Sequence, residues 1–370
     1  MRTLLRRIQI KGFRSIRDAE IEMRPINVLI GTNGSGKSNL VMFLRMLRAC
    51  GEGAFQEFVS RHGGASVLLH HGPKVTKEIE TALFVDTHDG AARYSLALEF
   101  AADDRLAVRN ESLEAGSRDG GQFLNSISGP QGKEPHLRMF PTGGEHAQAS
   151  EEQARFFLTR FGAFHFHDTS IDGPLRRRAS TEDTFRLQPD GGNLPAFLWR
   201  LRTEKEDAFL RISRTLEQIL PWFRELVLVP EDRSILLRCR VAGRADSPIS
   251  VSQMSDGTLR LIALLTVLNL PGDRQPSLTV IDEPELGLHP AAEGAVARMI
   301  RSSAEQGAQF VIATQSATFL SHFDPEDIVV VENDEGASTF QRHTREELAG
   351  WLERYSLGQI WMKNLIGGRP

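Results

Sequence analysis

The clearest chemical pattern in the sequence is a glycine-rich segment that ends in a lysine and a serine. It fits G-x-x-x-x-G-K-[ST] over residues 31–38. Its glycines let backbone N–H groups close around phosphate oxygens, while Lys37 neutralises phosphate charge and the Ser38 hydroxyl binds magnesium. A buried-strand pattern (26–30) precedes the segment and a helical spacing of apolar residues (38–49) follows it. We therefore predict a site for ATP and Mg²⁺. Its predicted nucleotide-binding residues are Gly31, Thr32, Asn33, Gly34, Ser35, Gly36, Lys37, Ser38 and Asn39.

A second pattern places two acids directly after an apolar strand. The run 277–281 is followed by Asp282 and Glu283. Asp282 can reach magnesium held by Ser38, and Glu283 can polarise an attacking water as a general base. Alone, such an acidic pair is more often the start of a solvated helix. Together with the phosphate-binding loop, it indicates hydrolysis of ATP.

Two further positions suit contact with phosphate or water. Ser255, Asp256 and Gly257 precede a helix predicted at 258–270, which gives a hydroxyl, a flexible backbone and a helix N-terminus. Without other motifs this would be an ordinary helix cap. Gln315 follows a strand predicted at 309–314, and its amide can hydrogen-bond a γ-phosphate or a water.

The order of these motifs resembles the ABC-type ATPases. In that family a signature loop, Leu-Ser-Gly-Gly-Gln, lies between the phosphate-binding loop and the acidic strand. This chain has Met254-Ser255-Asp256-Gly257-Thr258 there, which departs at the first, third and fifth places. The family's switch residue is often histidine, whereas this chain has Gln315 at that place. The resemblance implies that Gln315 takes part in catalysis together with Glu283.

The segment Gly12-Phe13-Arg14-Ser15 is similar to the RecF and SMC branch of these ATPases, and it adds Arg14 to the predicted nucleotide-binding residues. Over nearly its whole length the chain resembles the predicted stand-alone AAA/ABC ATPases of bacteria. The other matching segments are 164–170, 190–194, 255–260, 281–290, 313–316 and 355–370.

This resemblance implies an α/β P-loop fold with a β-rich insertion (about 55–150) and a small helical lobe. The expected division is 1–170 and 251–370 for the two parts of the ATPase core, with the lobe and connecting strands at 171–250. Between Lys37 and Ser255 no sustained heptads occur, so we expect no long coiled coil. The resemblance also implies a head-to-head homodimer, with ATP between one subunit's phosphate loop and the other's Ser255–Thr258 loop.

Alternating patterns elsewhere predict the remaining elements. Residues 3–10 and 19–23 should be edge strands that feed the central strand 26–30, and 65–115 should form antiparallel hairpins. The segment 116–148, rich in Gly, Ser, Pro and His, should be a mobile surface loop. From 258 to 331 the pattern alternates between helix and strand, which is typical of a parallel sheet.

Composition narrows the class of protein. The net charge of −4 is not that of a basic nucleic-acid-binding domain, so a DNA contact would need a local patch. The densest basic cluster is Arg176-Arg177-Arg178, with Arg160 upstream and Arg186 downstream, and it is either a solvated loop or a contact to a phosphate backbone. Two isolated cysteines and the lack of a signal segment or a membrane-length apolar run favour the cytoplasm, with no membrane partner. His165 and His167 are either structural, a Q-loop-like contact to magnesium or water, or zinc ligands without the further ligands that zinc needs.

Three functions remain open on the sequence alone. One is a RecF-like ATPase that acts on DNA in repair or genome maintenance. A second is a regulatory ATPase of an anti-phage or toxin-like system that controls an operon-encoded effector. Only 54 residues (370 minus 316) follow Ser316, so the chain resembles the ATPase half of OLD-type nucleases without the nuclease. An ABC transporter subunit fits least, because its signature would be nearer Leu-Ser-Gly-Gly-Gln.

Overall fold

A computed structural model describes residues 3–116, 125–128, 132–137 and 147–368 of the chain. The strands are β1 (Leu4–Phe13), β2 (Ile16–Glu22), β3 (Ile26–Ile30), β4 (Glu78–Asp86), β5 (Ala91–Ala101), β6 (Arg105–Gly116), β7 (Asn125–Ser128), β8 (Phe161–Phe164), β9 (Ala179–Ser180), β10 (Phe223–Val227), β11 (Pro230–Glu231), β12 (Ser234–Ile235), β13 (Arg238–Val241), β14 (Arg244–Ser250), β15 (Leu278–Asp282), β16 (Gln309–Ala313), β17 (Ile328–Asp334) and β18 (Ala337–Gln341). The helices are α1 (Lys37–Glu52), α2 (Phe55–Arg61), α3 (Ala65–Leu68), α4 (Ala147–Leu158), α5 (Leu194–Glu204), α6 (Glu206–Ile219), α7 (Asp256–Leu268), α8 (Pro290–Glu305), α9 (Ala317–Leu320), α10 (Arg345–Leu352) and α11 (Leu357–Met362).

One sheet is antiparallel, in the order β2-β1-β4-β5-β6-β7. The predicted hairpins at 65–115 are confirmed as β4, β5 and β6, whose alternating side chains bury one face. The prediction that 19–23 is an edge strand is confirmed, because β2 lies at the edge of this sheet. The prediction that 3–10 is also an edge strand is wrong, because β1 lies between β2 and β4, and neither strand pairs with β3. The physical reason is the difference in pattern: β1 alternates, while all five residues of β3 are buried.

The second large sheet has the order β18-β17-β3-β16-β15-β8 and is parallel except for β18. Its central strands β3 and β16 are buried on both faces, as the continuous apolar runs predict. The sequence pattern did not predict the hairpin strand β18. It follows a two-residue turn, Glu335-Gly336, in which both residues have positive φ (49° and 85°).

Helix α1 lies between the two sheets. Its apolar face, with Leu40, Phe43, Leu44 and Leu47, joins the core that also contains one face of β1, β4 and β5. A second core on the other side of the parallel sheet includes α5, α6, α7 and α8. The packing holds α1 rigidly at the carboxyl end of β3, and so fixes the loop that connects them.

The predicted helices at 194–203, 206–220, 258–270 and 291–305 are confirmed as α5 to α8, with ends that differ by at most two residues. The longest helices among the described residues, α1 and α8, have 16 residues each. In the part of the chain that the structure describes, no helix combines the length and apolar character needed to cross a bilayer.

The predicted loop at 116–148 lies largely outside the described residues. Within its described part the prediction is wrong at β7, which pairs with β6 in antiparallel register from Ser112–Ser128 to Ala115–Asn125. A polar strand that pairs at a sheet edge needs no apolar alternation, and so its pattern does not distinguish it from a loop.

Candidate functional site

The loop between β3 and α1 has the geometry of an anion cradle. Gly31 and Gly36 have φ of 154° and 115°. A Cβ on Gly31 would lie 2.1 Å from the carbonyl oxygen of Val331, and one on Gly36 would lie 1.9 Å from Ser338 Oγ. Glycine is therefore required at both places. No side chain caps the N-terminus of α1, so its first N–H groups remain available to an anion.

The ends of adjacent parallel strands bring the predicted catalytic residues to this loop. Asp282 ends β15 and lies opposite Ala313, the last residue of β16, so Glu283 and Gln315 come together beyond the sheet. A cavity of about 130 Å³ lies between them and the phosphate loop. It is lined by Thr32, Asn33, Gly34, Gly36, Lys37, Ser38, Asn39, Asp282, Glu283, Ala313, Thr314 and Gln315.

Charges and unpaired polar groups in the cavity fit a phosphate and a metal ion. Lys37 is buried, and its Nζ donates to the carbonyls of Gly31 (2.5 Å) and Thr32 (3.0 Å). Burial lowers the pKa of Lys37 and raises that of Asp282. No described side chain hydrogen-bonds the Asp282 carboxylate, and the buried Ser35 Oγ has no partner among the described residues. These groups suit a cation beside an anion.

Glu283 is held in an unusual backbone conformation. Its φ is 47°, a left-handed value that costs energy for a residue with a long side chain. Its N–H donates to the carbonyl of Ala313 at 2.8 Å, and its Oε1 accepts from Gln315 Nε2 at 2.5 Å. The two side chains assigned to catalysis are thus in direct contact.

A third acid, Glu285, supports this pair and was missed in the sequence. Its Oε1 accepts from Thr314 Oγ1 (2.7 Å) and from the backbone N–H of Gln315 (2.9 Å). Burial raises the pKa of Glu285, and its Oε2 is buried without a partner among the described residues. Glu285 fixes the segment that carries Gln315. The sequence signal that could have identified Glu285 is its position two residues after Glu283.

A chain of serines braces the phosphate loop from the far end of the sequence. Ser338 Oγ, on β18, donates to the carbonyl of Ser35 at 2.7 Å and lies 2.6 Å from Ser15 Oγ. Asn39 Nδ2 donates to Ser15 Oγ at 2.6 Å, and Arg14 Nη1 is 3.5 Å from Asn39 Oδ1. Arg14 and Asn39 thus meet beside the phosphate loop. No local sequence signal identifies Ser338.

The predicted signature residues lie apart from this cavity. Ser255 caps α7, because its Oγ accepts from the N–H of Thr258 at 3.3 Å. A Cβ on Gly257 would lie 2.1 Å from the carbonyl oxygen of Gly287, so glycine allows the close approach of these two segments. Ser255 and Gly257 line a separate cavity of about 430 Å³, and none of its lining residues also lines the phosphate-loop cavity.

Asp256 belongs to a network centred on Arg176. Arg176 donates to Asp256 Oδ1 (2.7 Å) and to the carbonyls of Thr169 (2.8 Å), Met254 (3.1 Å) and Val251. The hydrogen bond from Arg176 is the main cause that lowers the pKa of Asp256. Arg176, whose side chain is 11% exposed, therefore anchors the signature loop. The sequence interpretations of the basic cluster as a solvated loop or as a DNA contact do not describe Arg176.

The other two arginines of that cluster also have partners within the chain. Arg177 donates to the carbonyl of Asp172, and Arg178 pairs with Glu231 at 2.6 Å. His167 Nε2 lies 2.9 Å from the carbonyl oxygen of Asp282, while burial lowers the pKa of His165 to about 4. Among the described residues, no group of three or more potential metal ligands of the His, Cys, Asp and Glu types occurs.

Comparison with known proteins identifies the family. Residues 26–321 match the family described as "AAA domain, putative AbiEii toxin, Type IV TA system". The chain belongs to this family. The match spans the phosphate loop, the Ser255–Thr258 loop, Asp282, Glu283 and Gln315. The fold of this AAA-family chain is that of the SMC-head, ABC-type ATPases, as the sequence resemblance predicts.

Solved SMC heads match almost the full length of this AAA-family chain. An SMC head bound to the C-winged helix domain of ScpA has a TM-score of 0.60 and 18% identity, and the match covers 94% of this chain and 99% of that one. An SMC head from Pyrococcus furiosus, also bound to the C-terminal domain of ScpA, has a TM-score of 0.54 and 17% identity, with 95% and 99% covered. At these identities the likeness is one of fold.

A curated relative shares a shorter region. The Old nuclease of Escherichia phage P2 is 33% identical over an alignment of 127 residues, and the match covers 32% of this chain and 22% of the nuclease. The chain thus matches about a fifth of that protein's length.

Proposed function

We propose that the chain hydrolyses ATP at sites shared by two copies. The observation that carries this proposal is the meeting of the phosphate loop, Asp282, Glu283 and Gln315 around one cavity. Each supplies what phosphate hydrolysis needs: backbone N–H groups and a lysine for the phosphates, acids for a metal and a proton, and an amide for the attacking water.

The lysine and the loop would hold the substrate. Lys37 would exchange the carbonyls of Gly31 and Thr32 for phosphate oxygens, which satisfies the ammonium more fully than two carbonyls do. Ser38 and Asp282 would hold Mg²⁺, which when bound offsets the negative charge of the phosphates. The Asp282 carboxylate lacks a hydrogen-bond donor among the described residues, which supports this assignment.

Glu283 would accept the proton of the attacking water. Its backbone strain and its contact with Gln315 hold the carboxylate at the mouth of the cavity. Gln315 would leave Glu283 to orient the water or a phosphate oxygen once substrate is bound. Strain at such a position is typical of an active site, because the surrounding fold must enforce it.

The size of the cavity supports a dimer. At about 130 Å³ it is smaller than the roughly 300–1,000 Å³ of sites that enclose a whole small ligand. It suits the phosphates but leaves most of a nucleotide open to another surface. The N-terminus of α7, with Ser255 as its cap and Gly257 in its first turn, lines a separate cavity of the same chain, and its first N–H groups would face a phosphate there. A second copy would bring that surface over the nucleotide.

For the biological role, we propose a regulatory ATPase that controls a separate effector in a toxin-like or anti-phage system. The family description and the likeness to a phage nuclease support this role. Action on DNA in repair has less support, because Arg176 and Arg178 of the basic cluster are engaged within the chain.

The test is steady-state ATP hydrolysis by the wild type, Lys37→Ala and Glu283→Gln, with and without DNA. We expect Glu283→Gln to bind ATP but to lose hydrolysis by about 10²-fold or more, as for loss of a general base. Normal hydrolysis by Glu283→Gln would refute its role. Strong stimulation by DNA would favour repair over the effector hypothesis, whose own check is co-purification of a protein encoded in the same operon.

A further inference from the structure

A second, larger cavity lies beside β8, the outer strand of the parallel sheet. It has a volume of about 540 Å³ and is formed by the end of α1, the end of α4, β8, the segment 185–187, α5 and the segment 270–276. None of its lining residues also lines the phosphate-loop cavity. Arg48 on its wall follows Lys37 by 11 residues (48 minus 37) in α1, about 16 Å along the helix. We call this cavity the β8 groove.

Aromatic side chains form much of the β8 groove, and two of them are open to solvent. Phe156 is 60% exposed and Phe185 is 70% exposed, whereas Phe161, Phe164 and Phe197 are buried in its floor. Exposed phenyl rings at the rim of a concave site contribute little to the core. They offer flat apolar faces to a ligand.

Three guanidinium groups of the β8 groove have unmet capacity for an anion. Arg186 forms no ion pair with any described carboxylate. Among the described residues, the guanidinium of Arg160 donates to two backbone carbonyls, those of Asp273 (2.6 Å) and Gln275 (3.2 Å). Arg274 pairs with Glu204 through Nη2, but its buried Nη1 has no partner among the described residues.

The acids of the groove are already neutralised. Glu52 pairs with Arg48 at 3.0 Å, and Asp273 pairs with Lys205 at 3.3 Å. The groove therefore carries excess positive charge. Burial, and then the like charge of Arg186, lowers the pKa of Arg160, which is consistent with two cations that face a shared space.

The arginines and the phenyl rings occur together. The Cζ atom of Arg160 lies 4.6 Å from the ring centre of Phe156, and that of Arg186 lies 5.8 Å from the ring centre of Phe185. The ring of Phe185 has a second cation nearby, because the Cζ atom of Arg200 lies 6.0 Å from its centre. Each exposed ring thus combines a nearby cation with a large solvent-exposed fraction. A ligand that fits must combine a flat ring, for stacking, with an anionic group within reach of the guanidinium groups.

We propose that the β8 groove binds a nucleotide unit, with the base against Phe185 or Phe156 and the phosphate at Arg186, Arg160 and Arg274. Its volume lies within the roughly 300–1,000 Å³ of sites for small ligands. Bases stack on aromatic side chains in a sequence-tolerant way, and arginine forks match phosphate oxygens. The unit comes either from a free nucleotide or from a single-stranded nucleic acid. The site is separate from the site of hydrolysis.

The test is calorimetric titration of the Lys37→Ala chain, in which the phosphate loop is weakened, with AMP and separately with an eight-nucleotide thymidine strand. We expect saturable binding of at least one probe. Phe185→Ala should weaken it about tenfold and Arg186→Glu by more, since one stacking ring or one phosphate contact is removed. Binding of AMP identifies a free nucleotide as the ligand; binding of the strand alone identifies a single-stranded nucleic acid.

Matched controls are Phe100→Ala on β5 and Arg214→Glu on α6, which are also exposed and lie outside the groove. They should leave the affinity unchanged, and thermal unfolding should show all four variants folded. The proposal is overturned if neither probe binds, or if the Phe185 and Arg186 variants bind as tightly as their controls. That result would not bear on ATP hydrolysis, because the phosphate loop shares no lining residue with the groove.

Discussion

Replacing Arg176 by alanine should weaken the signature loop while leaving the phosphate loop intact. The side chain of Arg176 is 11% exposed and donates to the carbonyls of Thr169, Val251 and Met254 as well as to Asp256. Three hydrogen bonds from a charged donor, partly replaced by water in the variant, contribute about 3 kcal/mol to stability. The Asp256 pair adds less than about 1 kcal/mol, because that carboxylate is 56% exposed.

The matched control is Arg178→Ala, two positions away. Arg178 pairs with Glu231, and the two side chains are 45% and 42% exposed, so its loss should change the urea midpoint little. The assays are urea unfolding, nucleotide binding and light scattering of the ATP-bound protein. Arg176→Ala should unfold at lower urea and dimerise poorly, yet still bind nucleotide. Equal unfolding midpoints for the two variants, with normal dimerisation, would refute the anchoring role.

Three further substitutions test contacts around the two motifs. Ser338 packs closely against the phosphate loop, since a Cβ on Gly36 would lie 1.9 Å from Ser338 Oγ. Ser338→Val adds bulk at this contact and should weaken ATP binding about tenfold in a fluorescence titration. Gly257→Ala places a Cβ 2.1 Å from the carbonyl oxygen of Gly287; it should cost about 1–3 kcal/mol in urea unfolding and weaken the dimer. Burial raises the pKa of Glu285, so its stabilising contribution is full below its unfolded value, near 4.5, and is lost as pH rises through the folded value. The free energy of unfolding of the wild type should therefore fall as the pH rises above about 4.5, and this fall should be smaller for Glu285→Gln.

Each of these three substitutions has a control at a position where the side chain is exposed or meets no neighbouring atom. Thr339→Val is exposed on the same strand as Ser338, Gly272→Ala meets no atom within 4 Å, and Glu353→Gln is exposed. If Thr339→Val weakens ATP binding as much as Ser338→Val, the brace on the phosphate loop is not specific. Equal stability of the two glycine variants would count against the close approach at Gly257. A pH profile that is the same for Glu285→Gln and wild type would remove the role of that carboxyl.

The contiguous parts of the site could be predicted from the sequence. The phosphate loop and the Asp282-Glu283 pair each combine a strand, its end and the residues that follow, and such local patterns fix backbone geometry over a few residues. The resemblance to known ATPases added the separate signature loop at Ser255. These predictions depend on neighbours along the chain, which a single sequence reveals.

The parts that escaped prediction depend on pairing between distant segments. Ser338 reaches Ser35 across 303 positions, because β18 folds back beside β17. Arg176 reaches Asp256 across 80 positions, and its place in an arginine run resembles a solvated cluster. The sheet membership of β1 was wrong for the same reason: alternation predicts a half-buried strand but not which strand lies beside it.

The most direct test of a shared ATP site is complementation between two inactive variants. Lys37→Ala disables the phosphate loop, and Ser255→Asp keeps a helix-capping oxygen but brings a negative charge to the signature loop. Each variant alone should lose hydrolysis. An equal mixture should regain about a quarter of wild-type activity, since half of the randomly formed two-fold dimers contain one intact composite site. An Ser255→Asp protein that hydrolyses ATP normally, or a mixture of dimerising variants without activity, would contradict the shared site.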